Sequence, residues 1–156
     1  KSTIKEKMST LSNIPPYLNS TYIGLDKAGI VQLRCAGIQD VNSLEDIMTR
    51  NEIGNSMHLL EQHKLVALGD DRIRLKIKEL INIYISSKDS GFIVVALLQK
   101  DLVGYSIHTI KSSKNGPSGS FSQVFIADQC VNQGLETSMM QKALEISLYL
   151  RNKKGT

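Results

Sequence analysis

Apolar residues recur at two different spacings along the chain, and the change falls near residue 90. Before it, apolar side chains in RIRLKIKELINIY recur at helical intervals, which predicts an amphipathic helix with an exposed Arg/Lys face. After it, FIVVALLQ from Phe92 is a short, β-branched run without polar interruption, which is typical of a strand buried on both faces. The chain therefore joins a helical part to a strand-rich part.

Turn residues separate the further elements. Lys100-Asp101 stands between FIVVALLQ and LVGYSIHTI, so a tight hairpin is predicted there. SFSQVFIA is predicted to be a third strand beyond the loop-like SSKNGPSG, and Ile30 to Arg34 a short strand nearer the beginning. Asp40 or Ser43 is predicted to cap a helix, and SMHLLEQHKL to form a second helical piece. A last helix is predicted from about Leu135 to Leu150. Its predicted buried face comprises Met139, Met140, Ala143, Leu144, Ile146 and Ser147.

The order of these elements predicts an α/β (α+β layered) fold. A short N-terminal strand and helices precede a three-stranded meander, which a C-terminal helix closes. Residues 1–20 are polar and are expected to form a flexible lead-in to a single domain over residues 21–156. That domain can be subdivided into a helical half, residues 21–88, and a β-β-β-α half, residues 89–156.

Composition and charge narrow the class of protein. A formal net charge of +4 permits an anionic partner such as a nucleotide, CoA or nucleic acid, and requires none. The two cysteines form no CxxC pair, and no His/Cys cluster suggests a metal site. The sequence shows neither a bilayer-spanning apolar run nor the apolar core of a signal peptide, so a cytoplasmic protein without a membrane partner is expected. The oligomeric state is not defined by the sequence.

One stretch has the layout of a phosphate-binding loop. VNQGLETSMMQKALEIS, Val131 to Ser147, places Gly134 directly before an amphipathic helix and after the strand SFSQVFIA. A helix start leaves several backbone N–H groups unpaired and carries a partial positive charge. A pyrophosphate binds there readily when a glycine lets the backbone come close. The stretch therefore predicts an anion-binding helix start.

Three stretches together resemble a GNAT-type (GCN5-related) N-acyltransferase domain. VQLRCAGIQDVNSLEDIM resembles the opening strand and first helix of that family, and GFIVVALLQKDLVGYSIHTI its central hairpin. VFIADQCVNQGLETSMMQKALEIS resembles its acyl-CoA motif, in which a strand leads into a loop and a helix start. The resemblance covers about Ile30 to Thr156 and is one of pattern.

The resemblance implies acetyl-CoA or another acyl-CoA as cofactor and an amine, on a small molecule or a protein, as acceptor. The loop and helix start would supply amides to the pyrophosphate, and the end of the strand would offer backbone groups to the pantetheine arm. The loop residues are Asn132, Gln133, Gly134, Leu135, Glu136 and Thr137, and the strand residues are Phe125, Ile126 and Ala127. Amine attack on a thioester needs a base, for which His108 and Asp128 are the candidates.

Three departures from the family pattern predict a degenerate or C-terminally truncated domain. Val131 occupies the position at which the family has Arg or Gln, and Glu136 the position of its second small residue. A carboxylate at Glu136 suits an empty helix start, but it would repel a pyrophosphate at close range. The chain also reaches Thr156 where the family's next strand should begin.

Two other classes of protein stay open. The order from Arg72 to Leu150, one helix, three strands and a helix, is also that of a double-stranded RNA-binding domain, in which a basic pair at the start of the last helix contacts phosphates. Here Met139 and Met140 occupy the positions of that pair. Alternatively, the N-terminal half resembles a helix-hairpin-helix unit followed by the end of a sterile-alpha-motif domain, which would make the protein a helical interaction adaptor.

Overall fold

The computed structural model describes residues 18–51, 70–87, 91–111 and 118–154 of the chain. The described strands are β1 (Thr21–Leu25), β2 (Gly29–Cys35), β3 (Gly91–Leu98), β4 (Asp101–Lys111) and β5 (Ser118–Ile126). The described α-helices are α1 (Val41–Asn51), α2 (Asp70–Ser86) and α3 (Leu135–Lys154). The predicted helical piece SMHLLEQHKL lies outside the described residues.

The five strands form one antiparallel sheet in the order β1-β2-β3-β4-β5. This architecture confirms the predicted fold class, with one more strand near the N-terminus than the sequence indicated. The extra strand, β1, was not predicted because TYIGL is short and interrupted by Gly24, so it carries little strand signal of its own. It forms by pairing with β2, from Thr21 opposite Leu33 to Leu25 opposite Gly29.

Helices cover the sheet on both faces. On β3, Ile93 and Val95 pack in one cluster with α1 and α2, whereas Val94 and Ala96 belong to the clusters beneath α3. Because neighbouring residues of a strand point to opposite faces, a strand between two helical layers must be apolar throughout. The uninterrupted apolar run from Phe92 thus follows from the central position of β3.

The buried face of α3 differs from the predicted one. Met140 is 38% exposed and Leu144 is 59% exposed, whereas Lys142 is only 3% exposed. The Lys142 Nζ donates a hydrogen bond to Thr21 Oγ1 at 3.0 Å. The prediction was wrong here because a helix with apolar residues on most sides does not itself reveal which side meets the sheet.

An ion pair joins β2 to the start of α1. The Arg34 guanidinium donates to both carboxylate oxygens of Asp40, with N···O distances of 2.6 and 2.9 Å. The same carboxylate accepts a hydrogen bond from the Gly37 N–H at 2.8 Å, which closes the turn between the two elements. Asp40 therefore holds the turn that precedes α1 against β2.

The predicted hairpin between β3 and β4 has a two-residue turn, Gln99-Lys100, in which both residues have positive φ (50° and 74°). Such turns favour Asn at the first position, because Asn tolerates the left-handed conformation, and Gly at the second, because Gly has no Cβ. We expect the double change Gln99→Asn and Lys100→Gly to raise the free energy of unfolding by about 0.5–1 kcal/mol. Urea denaturation would measure this gain. The matched control, Lys100→Ala, keeps a Cβ at the same φ, and an equal gain in it would contradict the explanation.

Candidate functional site

The segment between β5 and α3 is anchored at its beginning. The Ala127 N–H donates to the Val103 carbonyl at 2.8 Å, and the Ala127 carbonyl accepts from the Cys130 N–H at 2.9 Å. Residues Asp128–Cys130 form a short 3-10 turn, and the Cys130 side chain is buried against Leu135 in the cluster beneath α3. The strand end and the helix start are therefore held close together.

Two residues of this loop have left-handed backbone conformations. The φ of Asn132 is 62° and that of Gly134 is 84°. A Cβ built on Gly134 would meet no atom within 4 Å, so the glycine is required by its conformation and not by a close neighbour. The space beside Gly134 is open to an approaching group.

The helix start that follows presents unpaired amides. The Ser138 N–H donates to the Gly134 carbonyl at 3.1 Å, which is the first hydrogen bond of the α-helical pattern. The N–H groups of Leu135, Glu136 and Thr137 precede it and have no acceptor within the helix. Leu135 is buried and anchors this turn, while the side chains of Glu136 and Thr137 are exposed. The arrangement can bind an anion through its backbone.

Gln133 connects this loop to the turn between β1 and β2. Its Oε1 accepts hydrogen bonds from the N–H groups of Lys27 and Ala28, at 3.0 and 3.1 Å. Its Nε2 donates to the Gln129 carbonyl at 2.7 Å. The family resemblance assigned Gln133 a backbone amide for the cofactor. No local signal indicates these side-chain bonds, because two of the partners lie more than 100 residues away.

The charges around the loop oppose an anion. From Ala127 to Gln141 the chain contains two carboxylates, Asp128 and Glu136, and no Lys or Arg. Both acidic side chains are exposed. Val131, at the position where the resemblance expects Arg or Gln, is 43% exposed and can offer only an apolar surface. The positive end of the α3 dipole is therefore the attractive feature within this segment.

His108 lies in the core on the face of the sheet beneath α3. It is 5% exposed, its ring stacks on Phe92 with centroids 5.1 Å apart, and its Nε2 is 2.7 Å from Ser106 Oγ. Burial lowers the pKa of His108 from its usual 6.5 to about 4. The imidazole is therefore neutral at physiological pH and is shielded from solvent.

The two predicted base candidates are not brought together. Asp128 follows Ile126, which pairs with Gly104, whereas His108 lies four residues further along β4. At about 3.3 Å per residue the two levels of the sheet are roughly 13 Å apart. Asp128 is exposed beside the loop, and His108 is buried.

A polar group that sequence analysis missed lies on the opposite face of the sheet, towards α1. The Tyr105 hydroxyl accepts a hydrogen bond from Asn51 Nδ2 at 3.2 Å and a weak one from Gln123 Nε2 at 3.5 Å. The Gln123 Oε1 is buried without a hydrogen-bond partner in the structure. Gln123 adjoins an irregularity in the β4–β5 register. In the sequence, the glutamine among the apolar residues of SFSQVFIA was the feature that could have indicated a buried polar group.

The start of α3 does not resemble a phosphate-binding helix of the RNA-binding type. Of the two residues at the positions of the expected basic pair, Met139 is fully buried and Met140 is partly exposed. The acidic Glu136 stands in the first turn, and the first basic residue, Lys142, is buried. The structure therefore offers no support for duplex binding at this helix.

No cluster of three or more His, Cys, Asp or Glu side chains in the described residues could hold a metal ion. None of the described helices is both long and apolar enough to cross a membrane.

Comparisons with solved structures identify the fold. A GNAT-family acetyltransferase of Staphylococcus aureus matches with a TM-score of 0.55 and 12% identity, over 78% of this chain and 80% of that one. A predicted acetyltransferase of Clostridium acetobutylicum, crystallised with acetyl-CoA, matches with a TM-score of 0.56 and 13% identity, over 73% and 71%. An aminoglycoside N-acetyltransferase in complex with CoA matches with a TM-score of 0.55 and 12% identity, over 83% and 71%.

The protein thus has the fold of the GNAT acetyltransferases. By sequence, no protein-family model matches this chain, and no curated protein matches it significantly. A likeness at these identities defines the architecture, and one fold can carry several activities.

Proposed function

We propose that this protein binds an acyl-CoA at the β5–α3 loop and transfers the acyl group to an amine. The observation that carries the proposal is the helix start of α3, where Gly134 is left-handed beside open space and three amides precede the first helical hydrogen bond. Two neighbours in fold were crystallised with acetyl-CoA or CoA. The anionic part of such a cofactor suits the unpaired amides and the helix dipole.

Different residues of the loop would bind different parts of the acyl-CoA. The amides of Leu135, Glu136 and Thr137 would hold the pyrophosphate, with Asn132 and Gly134 shaping the approach. The backbone of Phe125 and Ile126 would face the pantetheine arm. Ala127 contributes less than the resemblance implied, because its N–H and its carbonyl already bond within the protein.

Acyl-CoA supplies a reactive thioester, and the protein must accept a proton from the attacking amine. Of the two base candidates, His108 is buried and stacked within the core, so we assign it to folding and not to the reaction. Asp128 is exposed at the end of β5, and we assign it the role of the general base. The acceptor class is an amine on a small molecule or a protein.

The direct test is the melting temperature with and without millimolar acetyl-CoA. A ligand present at about a hundredfold its Kd stabilises the folded state by about 2.7 kcal/mol. We expect a clear rise with acetyl-CoA, a similar one with CoA and a smaller one with ATP, which lacks the pantetheine arm. Cooperative melting without any rise would refute the proposal, and an equal rise with ATP would reassign the site to nucleotides.

Glu136 is expected to weaken the binding of acyl-CoA. Its exposed carboxylate lies in the first turn of α3, where it stabilises the free helix start but repels a bound phosphate. We expect Glu136→Gln to lower the free energy of unfolding by about 0.5 kcal/mol and to tighten acetyl-CoA binding about fivefold. Calorimetric titration and urea denaturation would measure the two effects.

The matched control for this change is Glu145→Gln. Glu145 is exposed on the same helix but lies more than two turns further along, beyond the reach of the helix start. Its substitution should leave the Kd for acetyl-CoA unchanged. If Glu136→Gln and Glu145→Gln changed the Kd equally, the effect would reflect net charge and not the position of Glu136.

A further inference from the structure

The turn between β1 and β2 lies against the loop of the proposed acyl-CoA site. The N–H groups of Lys27 and Ala28 both donate to Gln133 Oε1, and Gln133 Nε2 donates to the Gln129 carbonyl. These three hydrogen bonds saturate the oxygen of the Gln133 amide and use one of its two N–H donors. We refer to them as the Gln133 bridge.

The Gln133 bridge holds the part of the loop that has a left-handed backbone. Asn132 and Gly134, the residues on either side of Gln133, both have positive φ. Asn tolerates a left-handed conformation better than other residues with a Cβ, but the conformation still costs more than in Gly and persists where the surroundings hold it. The Gln133 side chain links the loop to the β1–β2 turn by hydrogen bonds. The bridge therefore fixes the loop shape that leads into the unpaired amides of α3.

The turn also contains one cation, Lys27, beside one carboxylate, Asp26. The segment from Ala127 to Gln141 contains Asp128 and Glu136 but no Lys or Arg. Lys27 is exposed, and its backbone N–H donates to Gln133 Oε1, so its flexible four-carbon side chain begins beside the end of the Gln133 side chain and is long enough to extend towards the loop. An ammonium group that extends towards the loop would offset part of this negative charge when an anion binds.

We propose that the β1–β2 turn is part of the anion site, with Gln133 as the residue that positions it and Lys27 as the cation that contacts the phosphates. This inference rests on the proposed function, because the anion in question is the pyrophosphate of an acyl-CoA. It assigns the role of the Arg or Gln that the family pattern has at the beginning of the loop, where this chain has Val131, to a turn about a hundred residues upstream.

The experiment compares acetyl-CoA binding by four variants with binding by the wild-type protein. Lys27→Met removes the ammonium but keeps the length of the side chain, and its control is Lys100→Met in the other exposed hairpin turn at the same end of the sheet. Gln133→Met removes the bridge, and its control is Gln129→Met, because Gln129 contributes only its carbonyl. All five proteins are titrated at low and at physiological salt.

We expect Lys27→Met to weaken binding about fivefold at low salt and to flatten its salt dependence, since exposed charges are screened by salt. We expect Gln133→Met to weaken binding about tenfold, because it loosens the loop and releases the turn. Both controls should stay within about twofold of the wild type. In the free Gln133→Met protein, hydrogen exchange should accelerate at the amides of Lys27 and Ala28 and stay unchanged in β3.

The outcomes separate the inference from the proposed function. If the wild type binds acetyl-CoA and Lys27→Met binds it equally well with the same salt dependence, the turn is not part of the anion site and the inference is overturned. An equal loss in Lys27→Met and Lys100→Met would also overturn it, because the effect would then be one of net charge. If the wild type binds no acetyl-CoA, the proposed function fails first, and the inference fails with it.

Discussion

Acidification from pH 7 to pH 4 is expected to lower the free energy of unfolding by about 3 kcal/mol through His108 alone. The side chain is buried beneath α3, and burial lowers its pKa from 6.5 to about 4. Between these two values the unfolded chain takes up a proton that the folded protein does not, so stability falls as the pH falls. About 2 kcal/mol of the effect should already be lost at pH 5.

Urea denaturation at a series of pH values measures this dependence. His108→Gln removes the titrating group, so its stability should vary much less between pH 7 and pH 5, where carboxylates still contribute little. The chain has two other histidines, and the double variant His58→Gln and His63→Gln is the matched control that should keep the dependence. A wild-type profile that is flat over this range would show that His108 is not held neutral by the fold.

Gly91→Ala is expected to lower the free energy of unfolding by about 3 kcal/mol. Gly91 opens β3 with a φ of 153°, a conformation that side chains rarely adopt. A Cβ at this position would overlap the carbonyl oxygen of His108 on β4, and it would come within 2.9 Å of Tyr84 Cε1 on α2. Backbone of the central sheet cannot move aside cheaply, so the strain remains in the folded state.

Gly24→Ala in β1 is the matched control for this substitution. A Cβ on Gly24 would meet no atom within 4 Å, so no overlap opposes it. Alanine also loses less conformational freedom on folding, and we expect stability to stay equal or to rise by up to about 1 kcal/mol. Thermal and urea unfolding of both variants would measure the contrast. Equal losses in Gly91→Ala and Gly24→Ala would show that strand propensity and not overlap determines the cost.

The two expected losses share a structural origin. The His108 ring stacks on Phe92, the neighbour of Gly91, and the His108 carbonyl lies where a Cβ of Gly91 would be. The β3–β4 pairing at this end of the strands is therefore a region where the fold tolerates neither added volume nor added charge. It lies away from the proposed acyl-CoA site, so these variants affect stability and should leave the geometry of the β5–α3 loop intact.

The site itself was partly predictable. A glycine before an amphipathic helix is a local pattern, and α3 begins at Leu135 as predicted. The position of Glu136 in the first turn was also predictable, because a first-turn residue follows directly from the helix start. The Gln133 bridge to Lys27 was not, since it joins residues 106 positions apart.

The sequence by itself determined the amphipathic helix α2, the buried strand β3, the β3–β4 hairpin and the start of α3, because each rests on spacing and turn residues within a short segment. Only the tertiary structure decided which side of α3 meets the sheet, that His108 is buried and neutral, and that the β1–β2 turn meets the β5–α3 loop. The physical reason is that periodicity is a property of neighbours along the chain. Burial, pKa and hydrogen bonds across the fold depend on how separate elements pack together.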